Sequence, residues 1–90
     1  MDFEWNPYKA ELNQNKHGVS FFEACEVFDD DLSSSVLDPD HSIEEERRLI
    51  FGRTSNNKYL AVSYTERNDR IRLISARQMT PRERRAYEQR

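Results

Sequence analysis

A single cysteine, Cys25, stands among 90 residues, which excludes a disulfide framework and a cysteine-built zinc knuckle. No run approaches the ~20 apolar residues of a membrane-spanning helix, and no basic-then-apolar N-terminal segment marks the chain for export. A reducing cytoplasm is therefore the expected compartment, for one domain spanning residues 1–90. Glycine is scarce, at two copies, and builds no phosphate-cradling loop. There is no HExxH, no spacing that suggests a Ser/His/Asp arrangement, no internal repeat and no low-complexity tract. Mean hydropathy is -1.02, so the core must be lean in a chain of a size that buries about 60% of its surface on folding. Ten aromatics (one Trp, four Tyr, five Phe) nevertheless argue against disorder.

The net charge of -3 is unlike that of a nucleic-acid binder, but its distribution is polar along the chain. Thirteen of the 17 acidic residues fall in residues 1–46, and 12 of the 14 basic residues fall in residues 47–90. A basic half can present a phosphate-binding face while the whole molecule remains acidic.

The stretch from Tyr64 to Arg77 carries the most information. Two apolar, β-favouring runs flank Asn68-Asp69, a pair that tolerates the positive φ of a two-residue hairpin loop. With that loop, Arg67 faces Arg70, Thr65 faces Arg72 and Ser63 faces Ile74. Strand alternation then groups Ser63, Thr65, Arg67, Arg70 and Arg72 on one face, and Leu60, Val62, Tyr64, Ile71 and Leu73 on the other. The second set is a core face. The first crowds guanidiniums that repel one another unless an anion lies between them. Arg77 has the wrong parity for the arginine face in a regular ladder; a bulge or strand end would be needed to bring it round.

Around this hairpin the punctuation is clear. Asp2 to Trp5 reads as an edge strand. Asn6-Pro7 starts a helix that runs through Tyr8 and Leu12 to Gly18. Ser20 with Glu23 is a capping box opening a helix with the apolar stripe Phe21, Ala24, Cys25 and Phe28, stopped by Asp29-Asp30-Asp31. Leu32 to Leu37 reads as a short strand, Asp38-Pro39-Asp40 as a turn, and Ser42 to Glu45 as one capped helical turn. Arg48 to Arg53 is a strand, Ser55 to Lys58 a turn, and Tyr59 to Arg67 and Arg70 to Arg77 are the hairpin strands. Thr80-Pro81-Arg82-Glu83 caps a last helix ending at Arg90. The expected fold class is α+β, a small antiparallel twisted sheet with two N-terminal helices and one C-terminal helix. The helices are expected on one sheet face, leaving the arginine face open.

Each candidate site has a plain structural alternative. The arginine face could bind phosphate bidentately, or form surface ion pairs with Glu66 or Asp69. Lys16 and His17 could bind and move a proton, or satisfy the negative end of a helix dipole. Glu66 could be a general base or an ion-pair partner of Arg67. Tyr64 and Cys25 read as core residues, and His41 lacks converging metal ligands.

The sequence also resembles the BrnT family of bacterial toxins. The resemblance is carried, in order, by Trp5-Asn6-Pro7 and Lys9, Lys16-His17-Gly18-Val19-Ser20-Phe21, Glu23-Ala24 and Val27-Phe28-Asp29-Asp30. It continues through Asp38-Pro39-Asp40-His41-Ser42, Glu45-Glu46-Arg47, Gly52-Arg53-Thr54, Val62 to Arg67, Arg70 to Arg77, Thr80, Glu83-Arg84 and Tyr87-Glu88. Two departures stand out: Asn68-Asp69 replaces a turn that often contains glycine, and Leu32 to Ser35 is less apolar than usual.

The resemblance implies a ribonuclease toxin of a type II toxin–antitoxin pair with a RelE-like fold, an endoribonuclease needing no metal or cofactor that arrests translation in the bacterial cytoplasm. It implies a BrnA-like ribbon-helix-helix antitoxin partner, a dimer or heterotetramer with it, and promoter DNA bound only through that complex. It makes His17, Glu66, Arg67, Arg72 and Arg77 the candidates for catalysis, and Lys16, Arg47 and Arg70 for RNA binding. A non-catalytic RNA- or antitoxin-binding module of the same fold is the alternative.

Overall fold

The computed structural model describes residues 1–41 and 45–89. The chain runs through β1 (Asp2–Glu4), α1 (Pro7–His17), α2 (Phe21–Ala24), a 3-10 segment (Cys25–Asp29) and β2 (Ser34–Leu37). A second 3-10 turn (Pro39–His41) leads to β3 (Arg48–Arg53), β4 (Tyr59–Arg67), β5 (Arg70–Gln78) and α3 (Pro81–Glu88). The helical turn expected over Ser42 to Glu45 rests on residues 42–44, outside the described residues, as does Arg90.

The local signals act as their chemistry requires. The Asn6 side chain accepts hydrogen bonds from the N–H groups of Tyr8 and Lys9, and α1 stops at Gly18, whose φ of 69° suits glycine. Ser20 and Glu23 form a complete capping box. After Ala24 the helix tightens to three residues per turn, which aligns Phe21, Ala24 and Val27 on the buried side. The stripe expected from α-helical spacing therefore shifts: Val27 joins the core, while Cys25 and Phe28 are half-buried at its margin. Asn68 and Asp69 take φ of 50° and 65° and close the two-residue hairpin loop.

The five strands lie in the order β1-β5-β4-β3-β2. β2 to β5 pair antiparallel, but β1 pairs parallel with β5, so the sheet is mixed rather than antiparallel. Most of the chain separates β1 from β5, so no hairpin constrains the direction in which β1 docks. Ile50, Leu60, Val62, Tyr64, Leu73 and Ala76 meet Val19, Phe21, Ala24 and Val27 to form the core. Edge-to-face rings close its margin: Phe3 on Phe28, Phe28 on Tyr64 and Trp5 on Phe21. The 3-10 segment lies tight against β3, where a Cβ on Gly52 would sit 2.9 Å from Val27 Cγ1 and 3.0 Å from the Val27 carbonyl oxygen.

α3 does not join the other helices. It packs on the opposite sheet face, where Glu83 grips Arg77, Arg84 stacks 3.8 Å over the Tyr59 ring, and Tyr87 meets Tyr59 edge-to-face. The expectation of helices on one face holds for α1 and α2 and fails for α3. Its physical cause lies in β5, where an irregularity changes which side Arg77 faces.

Candidate functional site

The hairpin register begins as expected, with Arg67 opposite Arg70, Glu66 opposite Ile71 and Thr65 opposite Arg72. It then shifts between Ser63 and Tyr64: Tyr64 faces Leu73, but Ser63 faces Ser75 rather than Ile74. Ile74 is the extra residue of a bulge, and every later residue of β5 changes side. Arg77 thereby pairs with Ala61 and joins Ser63, Thr65, Arg67, Arg70 and Arg72 on the arginine face.

Asn13 supports this irregularity. β1 covers β5 only at residues 70 to 72, so the edge beyond is open. The buried Asn13 side chain takes the place of a neighbouring strand there. Its Nδ2 donates to the carbonyl of Ala76 at 2.9 Å, its Oδ1 accepts from the Ala76 N–H at 3.0 Å, and Nδ2 also donates to the Val19 carbonyl. Both hydrogen-bonding groups of Ala76 are thus satisfied by an amide 63 residues away in the chain.

The anions between the arginines are not Glu66 or Asp69. Glu45 accepts a two-pronged contact from Arg67, Nε to Oε2 at 2.6 Å and Nη2 to Oε1 at 2.9 Å. Glu4 accepts from Arg72 Nη1 at 2.9 Å and lies 3.8 Å from Arg70 Nη1. Thr65 Oγ1 donates to the Glu46 carbonyl at 2.7 Å, which lays the segment before β3 across the hairpin and buries Thr65. The Arg67 hydrogen bonds hold the Glu45 carboxyl below the usual carboxylate range, and the charges of Arg67, Arg47 and Arg72 add to this. Arg47, next to β3, lies near enough for its charge to act on Glu45. Glu66 projects with Tyr64 and Ile71, away from Arg67 and Arg72, and lines a depression with Glu45, Glu46, Arg48 and Thr65.

At the other end of the face, Arg77 makes a fork with Glu83, Nη1 to Oε1 at 2.7 Å and Nη2 to Oε2 at 3.0 Å. Glu83 also accepts from the Thr80 N–H in the α3 capping box. Its carboxyl is held low, chiefly by Arg77. Tyr87 donates a short hydrogen bond to Asp30, which also accepts from the N–H groups of Arg53 and Leu32. Burial alone would raise the Asp30 carboxyl, but these bonds outweigh it and lower its value.

Lys16 and His17 end α1 and line a groove with Leu12, Asn13, Ile74 and Ser75. The bulge turns Ser75 toward the arginine side, so His17 borders that face from the sheet edge. His41 is paired with Asp38, and burial pushes the Cys25 thiol up to about 11, which favours the protonated form at neutral pH. Tyr64 is a core residue whose hydroxyl meets Ser35.

The structure thus brings Arg67, Arg70 and Arg72 together with Arg47 nearby, sets Lys16 and His17 at the neighbouring edge, binds Arg77 to α3, and turns Glu66 to the other side of the strand. Sequence reasoning missed the contributions of Glu4, Glu45 and Asn13. The crowding of like charges demanded nearby anions, and the acidic Glu45-Glu46 pair ahead of β3 was the available signal.

The family described as the ribonuclease toxin BrnT of type II toxin–antitoxin systems matches residues 5–83. The 1.1 Å crystal structure of the Brucella abortus ribonuclease toxin BrnT is 20% identical, with a TM-score of 0.66, covering 89% of this chain and 97% of that one. The two share a fold. No curated protein matches this sequence.

Proposed function

We propose, from the premise that the chain belongs to the BrnT family of ribonuclease toxins of type II toxin–antitoxin systems, that it cleaves RNA by internal transfer without a metal ion. The observation that carries this reading is the cluster of Arg67, Arg70 and Arg72 on one side of a rigid hairpin. Guanidiniums in such an array grip phosphate oxygens bidentately and stabilise charge that develops on them. In the reaction the 2′-oxygen of a ribose loses its proton and bonds to the adjacent phosphorus. The bond from phosphorus to the 5′-oxygen breaks, and that oxygen takes up a proton, giving a 2′,3′-cyclic phosphate and a 5′-hydroxyl end. Arg67 and Arg72 hold the reacting phosphate, Arg47, Arg70 and Lys16 hold its neighbours, and His17 moves the protons. Arg77 acts as a positioning residue through its fork with Glu83. Glu66 has no part in this assignment, because it projects away from the cluster.

In the cell this activity arrests translation in the bacterial cytoplasm until a BrnA-like ribbon-helix-helix antitoxin masks the arginine face. The complex of two toxins and two antitoxins contacts promoter DNA through the antitoxin. No helix among the described residues is long and apolar enough to cross a membrane.

The test is purified protein, free of antitoxin, incubated with total RNA in EDTA beside an Arg67→Ala/Arg72→Ala double variant. Cleavage by the wild type alone supports the reading. A second reading, a binding module that does not cleave, draws on the carboxylate partners that Arg67, Arg70 and Arg72 already have. It is favoured if RNA stays intact, with and without ribosomes, yet binds with a salt dependence that reports phosphate contacts.

A further inference from the structure

We propose that Glu45 occupies, in the free protein, the place of an RNA phosphate: its carboxylate is an internal ligand of Arg67, and a phosphodiester binds there by displacing it. This rests on the reading of the arginine face as the RNA site and adds a competitor to it.

The geometry is that of a bound oxyanion. The Arg67 fork takes both carboxylate oxygens, at 2.6 and 2.9 Å, in the way a guanidinium takes two phosphate oxygens. A phosphodiester carries one negative charge, as the carboxylate does, so the exchange leaves the charge of the cluster unchanged. Without either anion, Arg67 would face Arg70 across the hairpin loop unpaired, because Glu4 serves only Arg70 and Arg72.

The way Glu45 is attached makes the exchange feasible. The chain beyond it is held independently, by Thr65 Oγ1 donating to the Glu46 carbonyl at 2.7 Å and the Asp38 N–H donating to the Arg47 carbonyl at 2.9 Å. The Glu45 side chain can rotate off Arg67 while both of these bonds remain. The pair is partly exposed, at 47% for the Arg67 side chain and 33% for Glu45, and ion pairs in that setting hold weakly. The Arg77–Glu83 fork on the same face has no such freedom, because Glu83 Oε1 also caps α3.

The test compares the full chain carrying Glu45→Gln with wild type and with Glu88→Gln, which makes the same charge change on α3. The first probe is a labelled oligoribonucleotide with 2′-O-methyl sugars, which binds but cannot undergo internal transfer. Glu45→Gln should bind it about fivefold more tightly than wild type, the scale of the partly exposed ion pair that the phosphate no longer has to break. Glu88→Gln should differ from wild type by less than about twofold. Glu45→Asp, which keeps the charge but shortens the arm, should fall between wild type and Glu45→Gln. The second probe is inorganic phosphate, followed by the Arg67 Nε–H resonance, which should respond at lower concentration in Glu45→Gln. Equal or weaker oligonucleotide binding by a folded Glu45→Gln protein overturns the inference, even if wild type cleaves RNA. Tighter phosphate binding by Glu45→Gln in a protein that cleaves no RNA upholds the site and removes the ribonuclease reading instead.

Discussion

Two arginine–glutamate forks share one face of the sheet, and they differ in how many other bonds depend on them. At the α3 end, Glu83 serves Arg77 and the capping box at once, while Tyr87 and Asp30 tie the same helix to β3. At the hairpin end, Glu45 serves Arg67 through its side chain, and the nearby backbone is fixed by other groups. The same pair chemistry is a brace in one place and an exchangeable contact in the other. An ion pair is read by what else its atoms hold.

That contrast can be broken most sharply at the hairpin. Arg67→Ala/Arg72→Ala should lower RNA cleavage by about 100-fold or more, the scale of losing groups that stabilise transition-state charge, with little change in thermal midpoint. A comparable loss of stability would erase the distinction between the two ends. The opposite sheet face should respond in the reverse sense. Gly52→Ala forces a Cβ against Val27 side chain and backbone, and should cost about 1–3 kcal/mol in urea unfolding while leaving affinity for the 2′-O-methyl oligonucleotide unchanged.

Glu83→Ala removes the return bond of the α3 capping box and the Arg77 fork together, and should cost about 1–2 kcal/mol, read in the same unfolding assay. A smaller effect should appear with pH. Glu83 and Asp30 both have lowered values in the fold. The stability they contribute is complete above their unfolded values, near about 4, and is lost as pH falls through the lower folded values. Thermal midpoints should therefore decline as pH drops below about 5, and Glu83→Gln should decline less steeply because it has already lost part of that contribution at pH 7. An unchanged slope would remove Glu83 from the brace.

The arginine cluster was half legible. Strand alternation alone groups Arg67, Arg70 and Arg72, and Asn68-Asp69 sets their register. Their partners were not legible: Glu66 and Asp69 are adjacent in sequence, whereas Glu4 and Glu45 reach the cluster through a parallel edge strand and a crossing segment. The same limit hid the side chosen by α3, because parity counted along β5 fails at Ile74.

What the chain encodes within a few residues survived folding intact. Caps at Asn6, Ser20 and Thr80, the stop at Gly18 and the loop at Asn68-Asp69 are set by interactions across two to five positions, and neighbouring residues suffice to specify them. The direction of β1, the bulge, the facing of Arg77 and the anion held by Arg67 belong to the assembled molecule. Each depends on atoms far apart in the chain, as when Asn13 supplies both hydrogen bonds of Ala76. A one-residue shift reverses every side chain beyond it, and only packing against such distant partners determines where that shift falls.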